Sequence, residues 1–237
     1  MDVRTIVCLP TYNERENLEP MVRALGETGL SVLVIDDNSP DGTGQLADRL
    51  AAELDHVEVL HRPRKEGLGP AYLAGFERAL ASGADLIIEM DADFSHDPSD
   101  VLHLIQAASE ADIVLGSRYV DGGSIRNWGR LRRFVSAGGS SYARHILGVH
   151  VRDLTGGFKC FRREVLETIE LDAITARGYA FQIETTYRAL RAGYRVNEVP
   201  ITFVDRERGG SKMSKRIVLE AIWKVPLLRL QALLGRL

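Results

Sequence analysis

Runs of apolar, β-branched residues alternate along this chain with segments in which apolar residues recur every three or four positions. The first pattern is typical of buried strands and the second of amphipathic helices. Strands that alternate with helices form a mostly parallel sheet with helices on both faces, so the pattern predicts an α/β fold. The predicted strands are 3–9, 31–36, 57–61, 84–90, 112–116 and 196–204; the predicted helices are 14–28, 43–54, 69–82, 98–109, 130–147, 180–192 and 215–235.

Polar residues follow three of the predicted strands directly. They occupy residues 10–14, 36–39 and 91–93. Parallel sheets bind their ligands at the carboxyl ends of the strands, so these three clusters predict one common site.

The third cluster contains Asp91 and Asp93, which are one residue apart at the end of an apolar strand. Alternate side chains of an extended segment point the same way, so both carboxylates can face one point in space. Two like charges that close are costly unless a cation lies between them. Carboxylates suit Mg²⁺ or Mn²⁺, which take further oxygens from water and from phosphates. The pair therefore predicts a metal that holds a diphosphate.

Each acidic position also has a simpler structural explanation. Asp91 and Asp93 are equally compatible with a turn in which the carboxylates cap backbone amides. Asp37 could bind a base or a ribose through its carboxylate, or it could cap the turn at Ser39. Glu14 could complement the dipole of a first helical turn.

A dinucleotide-binding site is excluded by the residues after the first strand. Residues 10–14 contain no glycine, so the glycine-rich loop that would cradle a pyrophosphate is missing. Gly67 and Gly69 form only an isolated Gly-X-Gly.

Basic residues fall into two groups beyond the predicted metal site. The first begins with Arg118 and continues through the Gly- and Arg-rich stretch 117–133. The second comprises Arg206, Arg208, Lys212, Lys215 and Arg216. Two basic groups beside a metal suit two anions, and Lys212, in a glycine-containing loop, could close over a phosphate. The alternative is a solvated helix face, which we prefer for Arg130 and Arg144 taken alone.

The C-terminal segment 215–235 is apolar but interrupted by charges. Glu220, Lys224 and Arg229 fall roughly on one helical face, and apolar residues occupy the others. This suits a helix in a membrane interface, with its basic residues toward lipid headgroups and Trp223 at that depth. A terminal helix packed on the protein's own core is the alternative.

Composition excludes several other classes of protein. The 237 residues carry a net charge of −3, which does not favour nucleic acid as a partner. Cys8 and Cys160 are far apart and lack a CxxC partner, so we expect reduced packing residues in a cytoplasmic protein. We also expect neither a leader peptide nor a transmembrane helix, because the chain begins with a strand and has no run of 18 apolar residues.

Taken together and in order, the motifs resemble those of family-2 glycosyltransferases of GT-A fold, specifically the dolichol- or polyprenol-phosphate mannosyltransferases. The resemblance spans about residues 4–214. The motifs are residues 9–14, 35–43, 90–96, 116–119, 155–158, 198–203, 205–206 and 210–212.

The resemblance implies transfer of mannose from GDP-mannose to a polyprenyl or dolichyl phosphate, with inversion at the anomeric carbon and with Mg²⁺ or Mn²⁺. It implies donor contacts from Pro10, Tyr12, Glu14, Ile35, Asp37, Ala92, Arg118, Arg206 and Lys212. Metal and diphosphate would be held by Asp91 and Asp93. The acceptor phosphate would be bound by Arg132 and Ser136. Some relatives carry Gln where this chain has Ser95, so a third protein contact to the metal is not implied here.

We therefore expect a catalytic domain over residues 1–214 and a C-terminal amphipathic helix over 215–237, for which the membrane interface and the protein's own core both remain open as the packing surface. The protein would lie on the cytoplasmic face of the membrane, held by interfacial binding or by a membrane-anchoring partner protein. Two alternatives remain open: the same chemistry with UDP-glucose, and a non-catalytic subunit that binds lipid phosphate.

Overall fold

The computed structural model describes residues 3–176, 178–205 and 215–237. Its strands are β1 (Thr5–Thr11), β2 (Ser31–Asp36), β3 (Val57–His61), β4 (Leu86–Glu89), β5 (Ile113–Ser117), β6 (Ser124–Arg126), β7 (Lys159–Arg162), β8 (Val196–Pro200) and β9 (Thr202–Val204). Its helices are α1 (Arg15–Gly26), α2 (Thr43–Glu53), α3 (Leu68–Ala81), α4 (Asp100–Ala107), α5 (Arg130–Leu147), α6 (Arg163–Thr168), α7 (Tyr179–Arg191) and α8 (Lys215–Leu233).

Seven strands form one central sheet in the order β3-β2-β1-β4-β7-β5-β8. Every neighbouring pair is parallel except those made by β7, which runs antiparallel to both β4 and β5. The predicted mostly parallel sheet is therefore confirmed. β6 and β9 pair separately as a small parallel ribbon.

Two features of the sheet differ from the predicted strands. β7 was not predicted, because its four residues include Lys159 and Arg162 and lack the apolar run of a buried strand. The predicted strand 196–204 divides at Ile201 into β8, which joins the central sheet, and β9, which joins the ribbon. Ile201 itself donates its backbone N–H to the carbonyl of Ser117.

The sheet has an apolar core on each face, as its doubly covered parallel strands require. Alternate side chains of β1 point to opposite faces of the sheet and so belong to different cores. Ile6 and Cys8 are part of the core formed with α3, α5, α7 and α8. Val7 and Leu9 are part of the core formed with α1, α2 and α4. Both cysteines are buried and free, in agreement with the prediction from their spacing.

A fully buried ion pair lies where β4 meets β7. The ammonium of Lys159 is 3.3 Å from Oε1 of Glu89, and both side chains are completely inaccessible. Lys159 also donates to the carbonyl and side-chain oxygens of Gln182 on α7, at 2.9 and 2.5 Å. Burial lowers the pKa of Lys159 and raises that of Glu89, and their mutual attraction opposes both shifts. The pair thus joins three elements just below the carboxyl end of β4.

Helix α8 packs against α5 and α7. Val225, Leu228 and Ala232 are buried in the same core as the sheet. Lys224 donates to Thr175 Oγ1 at 2.7 Å, and Arg229 donates to the carbonyl of Leu147 at 3.3 Å. These two side chains therefore contact the protein, in contrast to the predicted orientation toward lipid headgroups. Among the described residues no helix has the length and apolar character needed to cross a bilayer.

Candidate active site

A cavity of about 880 Å³ opens at the carboxyl ends of the central strands. The three polar clusters that follow β1, β2 and β4 all contribute to it, as the sequence predicted. Of the predicted site residues, those that line the cavity are Pro10, Tyr12, Glu14, Asp37, Asp91, Ala92, Asp93, Arg118 and Arg132.

The two carboxylates that follow β4 lie in the cavity wall. Asp91 Oδ1 accepts a hydrogen bond from the Tyr72 hydroxyl at 3.3 Å, and Asp93 Oδ1 accepts from the backbone N–H of Ser95 at 3.0 Å. No group of three or more His, Cys, Asp and Glu side chains suited to a metal occurs in the described part of the chain. Two carboxylates fit Mg²⁺ or Mn²⁺, ions that commonly take their other ligands from water and substrate phosphates.

The cavity wall near β1 and β2 combines an aromatic ring with paired charges. The Lys65 ammonium lies 3.7 Å from the centre of the Tyr12 ring, a cation–π arrangement. Arg62 bridges the carboxylates of Asp37 and Glu66. Burial raises the pKa of the Asp37 carboxyl, and Arg62 opposes that shift. This wall offers carboxylate acceptors and one stacking surface to a ligand.

The turn after β2 is stabilised by Asp36, not by Asp37. Asp36 accepts from both the backbone N–H and the hydroxyl of Ser39, at 3.2 and 2.6 Å. Asp37 therefore does not cap the turn at Ser39, and its carboxylate lies in the cavity wall. Glu14 is also buried at the cavity, where it accepts from the side chain of Asn17 at 2.9 Å.

Arg118, directly after β5, is tied to a buried acid. Its Nε and Nη2 donate to the two carboxylate oxygens of Asp153 at 2.7 and 2.6 Å, and Nη2 also reaches Thr155 Oγ1 at 3.0 Å. Burial opposes the charge on Arg118, but Asp153 more than compensates and raises the pKa of the guanidinium. Arg118 therefore brings its own counter-ion to the cavity.

Arg132 and Ser136 lie one turn apart on α5. The Arg132 guanidinium is 4.2 Å from the centre of the Trp128 ring, and its Nη1 is 2.8 Å from each carboxylate oxygen of Asp205. Ser136 accepts from the hydroxyl of Tyr119 at 2.8 Å and lies outside the cavity lining. Arg132 and its acid are each about 30% exposed, so a ligand can reach this pair.

Three predicted donor residues are placed differently from the rest. Ile35 is fully buried against α3, where a Cβ on Gly75 would come within 2.5 Å of its Cδ1, so its side chain does not line the cavity. Arg206 and Lys212 lie outside the described residues, and their roles stay predictions.

Several cavity residues carry no sequence signal that identifies them. They come from segments without a recognisable motif and include Lys65, Trp128, Tyr179, Gln182 and Glu220. Glu220 shows that α8 borders the cavity. His96 lies within a motif, and its ring is 4.8 Å from that of Phe158 and 5.1 Å from that of Phe203. Burial lowers the pKa of His96 to about 4, so the imidazole is neutral.

Comparison with known proteins identifies a family. The model of "Glycosyl transferase family 2" matches residues 6–170. The chain is 50% identical over 226 residues to a polyprenol monophosphomannose synthase of Mycolicibacterium smegmatis, covering 94% of this chain and 85% of that protein. It is 48% identical over 225 residues to an undecaprenyl-phosphate mannosyltransferase of Micrococcus luteus, covering 94% and 93%.

Solved structures share the fold at low sequence identity. A mannosyltransferase of Pyrobaculum calidifontis, in complex with GDP-Man and Mn²⁺, superposes with a TM-score of 0.58 at 17% identity, covering 98% of this chain and 74% of that one. TarS 1–349 of S. aureus gives a TM-score of 0.60 at 13% identity, covering 98% and 72%.

Loss of the Asp153 charge should destabilise the fold. Asp153→Asn keeps the shape of the side chain but leaves the Arg118 guanidinium buried without a counter-charge, at a cost of about 3 kcal/mol. Urea denaturation of both proteins measures the difference. Asp121→Asn is the matched control, because Asp121 pairs with Arg152 at 3.7 Å from a fully exposed position, and we expect no measurable change there. Equal stabilities of the two variants would contradict this account of Arg118.

Proposed function

The chain belongs to glycosyl transferase family 2, and from this membership and the cavity we propose that it transfers mannose from GDP-mannose to a polyprenyl phosphate. The observation that carries the proposal is the identity of about half the residues, along 94% of the chain, with two enzymes named for mannosyl transfer to such lipids. The products are the polyprenyl phosphate mannose and GDP, with inversion at the anomeric carbon.

We assign the nucleotide to the wall formed after β1 and β2. A guanine base presents N–H donors, and the carboxylates of Glu14 and Asp37 are the acceptors available in that wall. Tyr12 offers an aromatic ring to the base, and the backbones of Pro10 and Ala92 are proposed to contact the donor. Ile35 supports this wall from the core. This chemistry favours GDP over UDP as the carrier.

The diphosphate is assigned to Asp91 and Asp93 with one Mg²⁺ or Mn²⁺. When bound, the ion neutralises charge on the departing nucleoside diphosphate. Arg206 and Lys212 are proposed to add positive charge to the diphosphate, whereas Arg118, whose charge is balanced by Asp153, is proposed to contact the donor as part of the cavity wall. Positively charged groups aimed at a leaving group that gains negative charge stabilise the transition state more than the ground state.

The acceptor phosphate is assigned to Arg132 and Ser136. A phosphate monoester is already ionised at neutral pH, so the nucleophile needs no general base. It needs alignment behind the anomeric carbon, and Arg132 and Ser136 supply it from one face of α5. Asp205 holds Arg132 by both oxygens before the acceptor arrives, so the acceptor phosphate has to compete with that carboxylate.

The exposed sides of α5 and α8 are assigned to the membrane surface. Leu131, Phe134 and Ile146 project from α5, and Trp223 and Leu230 from α8, at helical spacing and exposed by 38–78%. The two helices are joined by the Tyr142 hydroxyl, which donates to the carbonyl of Ile222 at 3.0 Å. Because α5 also carries Arg132, a lipid bound there could keep its prenyl chain in the bilayer. This face supports peripheral attachment to a membrane, and we propose that the attachment is on the cytoplasmic side.

A transfer assay tests the proposed reaction directly. Purified protein receives labelled GDP-mannose, a short polyprenyl phosphate and Mn²⁺ or Mg²⁺, with UDP-glucose in parallel and EDTA as a control. We expect metal-dependent label in the lipid fraction from GDP-mannose. Asp93→Ala removes half of the metal-binding pair and should lower transfer by about 10²-fold or more, while Asp121→Asn should not.

Other outcomes of the assay have definite meanings. Label from UDP-glucose alone would keep the mechanism and overturn the donor. Lipid binding without any transfer would indicate a non-catalytic subunit that binds lipid phosphate, or the need for a membrane-anchoring partner.

Loss of Arg132 should affect the acceptor and spare the donor. Arg132→Ala removes a charged donor to phosphate, so the KM for polyprenyl phosphate should rise by about 10-fold or more. GDP binding, measured by calorimetry with Mn²⁺, should stay unchanged. Arg133→Ala is the control, because the neighbouring Arg133 donates to the carbonyl of Ile125 on the outside of the ribbon. An unchanged KM for polyprenyl phosphate in Arg132→Ala would show that Arg132 does not bind the acceptor phosphate.

The membrane face can be tested separately from turnover. Phe134→Ser and Trp223→Ser should each reduce co-sedimentation with phospholipid vesicles several-fold, because each removes a large apolar side chain from the interface. Leu102→Ser on α4 replaces an exposed apolar residue outside this face and should have no effect. The tryptophan emission of the wild type, to which Trp128 and Trp223 both contribute, should shift to shorter wavelength on addition of vesicles, and the shift should be absent in Trp223→Ser. Equal sedimentation of all three variants would contradict the assignment.

A further inference from the structure

Tyr72 connects the interior of the protein to one carboxylate of the proposed metal pair. It lies in the first turns of α3, and its side chain is fully buried. Its ring packs with those of Phe76 and Phe181 in a triangle, at centroid distances of 5.8 and 6.0 Å from Tyr72 and 6.4 Å between the two phenylalanines. These contacts restrict the ring of Tyr72. Its hydroxyl reaches Asp91 Oδ1 at 3.3 Å.

The direction of this hydrogen bond follows from the chemistry of the two groups. The phenol hydroxyl of Tyr72 donates, and the carboxylate oxygen of Asp91 accepts. Because the Tyr72 side chain is fully buried, the contact is made from inside the protein.

We propose that Tyr72 is a positioning residue for the metal site, which holds the Asp91 carboxylate in the orientation that binds the ion. A hydrogen bond to one carboxylate oxygen limits rotation of the group. Asp91 lies in the short segment between the end of β4 at Glu89 and the turn that Asp93 makes with Ser95, and the contact with Tyr72 links this segment to α3. Groups that orient a metal ligand in this way typically change metal affinity by about 10–100-fold when they are removed.

The inference rests on the metal site of the proposed function and not on the sugar or the acceptor. It also gives a role to the hydroxyl of Tyr72, the one group by which this residue differs from a phenylalanine of the same shape. A buried hydroxyl without a partner is unfavourable. Bonded to Asp91, the hydroxyl is satisfied and the carboxylate is oriented.

Two tyrosine-to-phenylalanine variants of the full chain test the proposal. Tyr72→Phe removes the hydroxyl that meets Asp91. Tyr187→Phe is the matched control: Tyr187 is 1% exposed on α7, and its hydroxyl has no hydrogen-bond partner among the described residues. Mn²⁺ affinity, measured without nucleotide by electron paramagnetic resonance, should fall about 10-fold or more in Tyr72→Phe and stay unchanged in Tyr187→Phe. GDP binding in EDTA and the Tm without metal report on the fold.

The outcomes separate positioning from general loosening. Weaker Mn²⁺ binding in Tyr72→Phe, with metal-free GDP binding retained, supports the proposal. Equal Mn²⁺ affinity in the wild type and both variants overturns it. A parallel loss of Mn²⁺ and metal-free GDP binding also overturns it, because that is the result of a disturbed fold. A wild type that binds no Mn²⁺ removes the metal site itself, whereas failure of the transfer assay with Mn²⁺ binding intact overturns the reaction and leaves the role of Tyr72 standing.

Discussion

The buried ion pair between Glu89 and Lys159 is the interaction on which the rest of the site depends. Lys159 begins the one antiparallel strand of the central sheet, and Glu89 ends the strand that leads into Asp91. Through Gln182 the same ammonium binds α7. Removing one partner of such a pair typically costs about 3–5 kcal/mol, because the other charge stays buried, although an apolar replacement of both is often tolerated. We interpret the pair as the interaction that fixes β7 beside β4, and so fixes the position of the residues that follow β4 in the cavity wall.

Around the cavity, cations are paired with carboxylates before any ligand arrives, and burial decides what each pair can do. Arg118 and Asp153 are almost inaccessible, so their pair is part of the framework. Arg62 is buried between Asp37 and the more exposed Glu66, which fixes the wall assigned to the nucleotide. Arg132 and Asp205 are partly exposed, and the low cost of exchanging a solvated partner suits that pair to an incoming phosphate. These three arginines therefore carry balanced charge when no ligand is bound.

Helix α5 combines the polar and apolar requirements of a lipid substrate. Its inward side carries Arg132, and its outward side carries Leu131 and Phe134. Helix α8 extends the apolar side and also borders the cavity through Glu220. The charged residues of α8 illustrate the limit of a helical-wheel argument, because Lys224 and Arg229 are satisfied by Thr175 and the carbonyl of Leu147. Among the described side chains of α8, the most exposed are apolar and include Trp223 and Leu230.

The sequence by itself determined the class of fold and the end of the sheet at which the cavity opens. The alternation of apolar runs with helical periodicity predicted the fold. The rule that parallel sheets bind ligands at the carboxyl ends of their strands predicted that the acids after β1, β2 and β4 share one site. Tertiary structure alone decided the antiparallel insertion of β7, because the lysine that begins this strand is buried beside partners far away in the chain, Glu89 and Gln182. It also decided that Ile35 lies in the core, that Asp36 and not Asp37 stabilises the turn, that Lys65 and Glu220 line the cavity, and that Tyr72 contacts Asp91. Those placements depend on contacts between residues far apart in the chain, and local pattern carries no information about them.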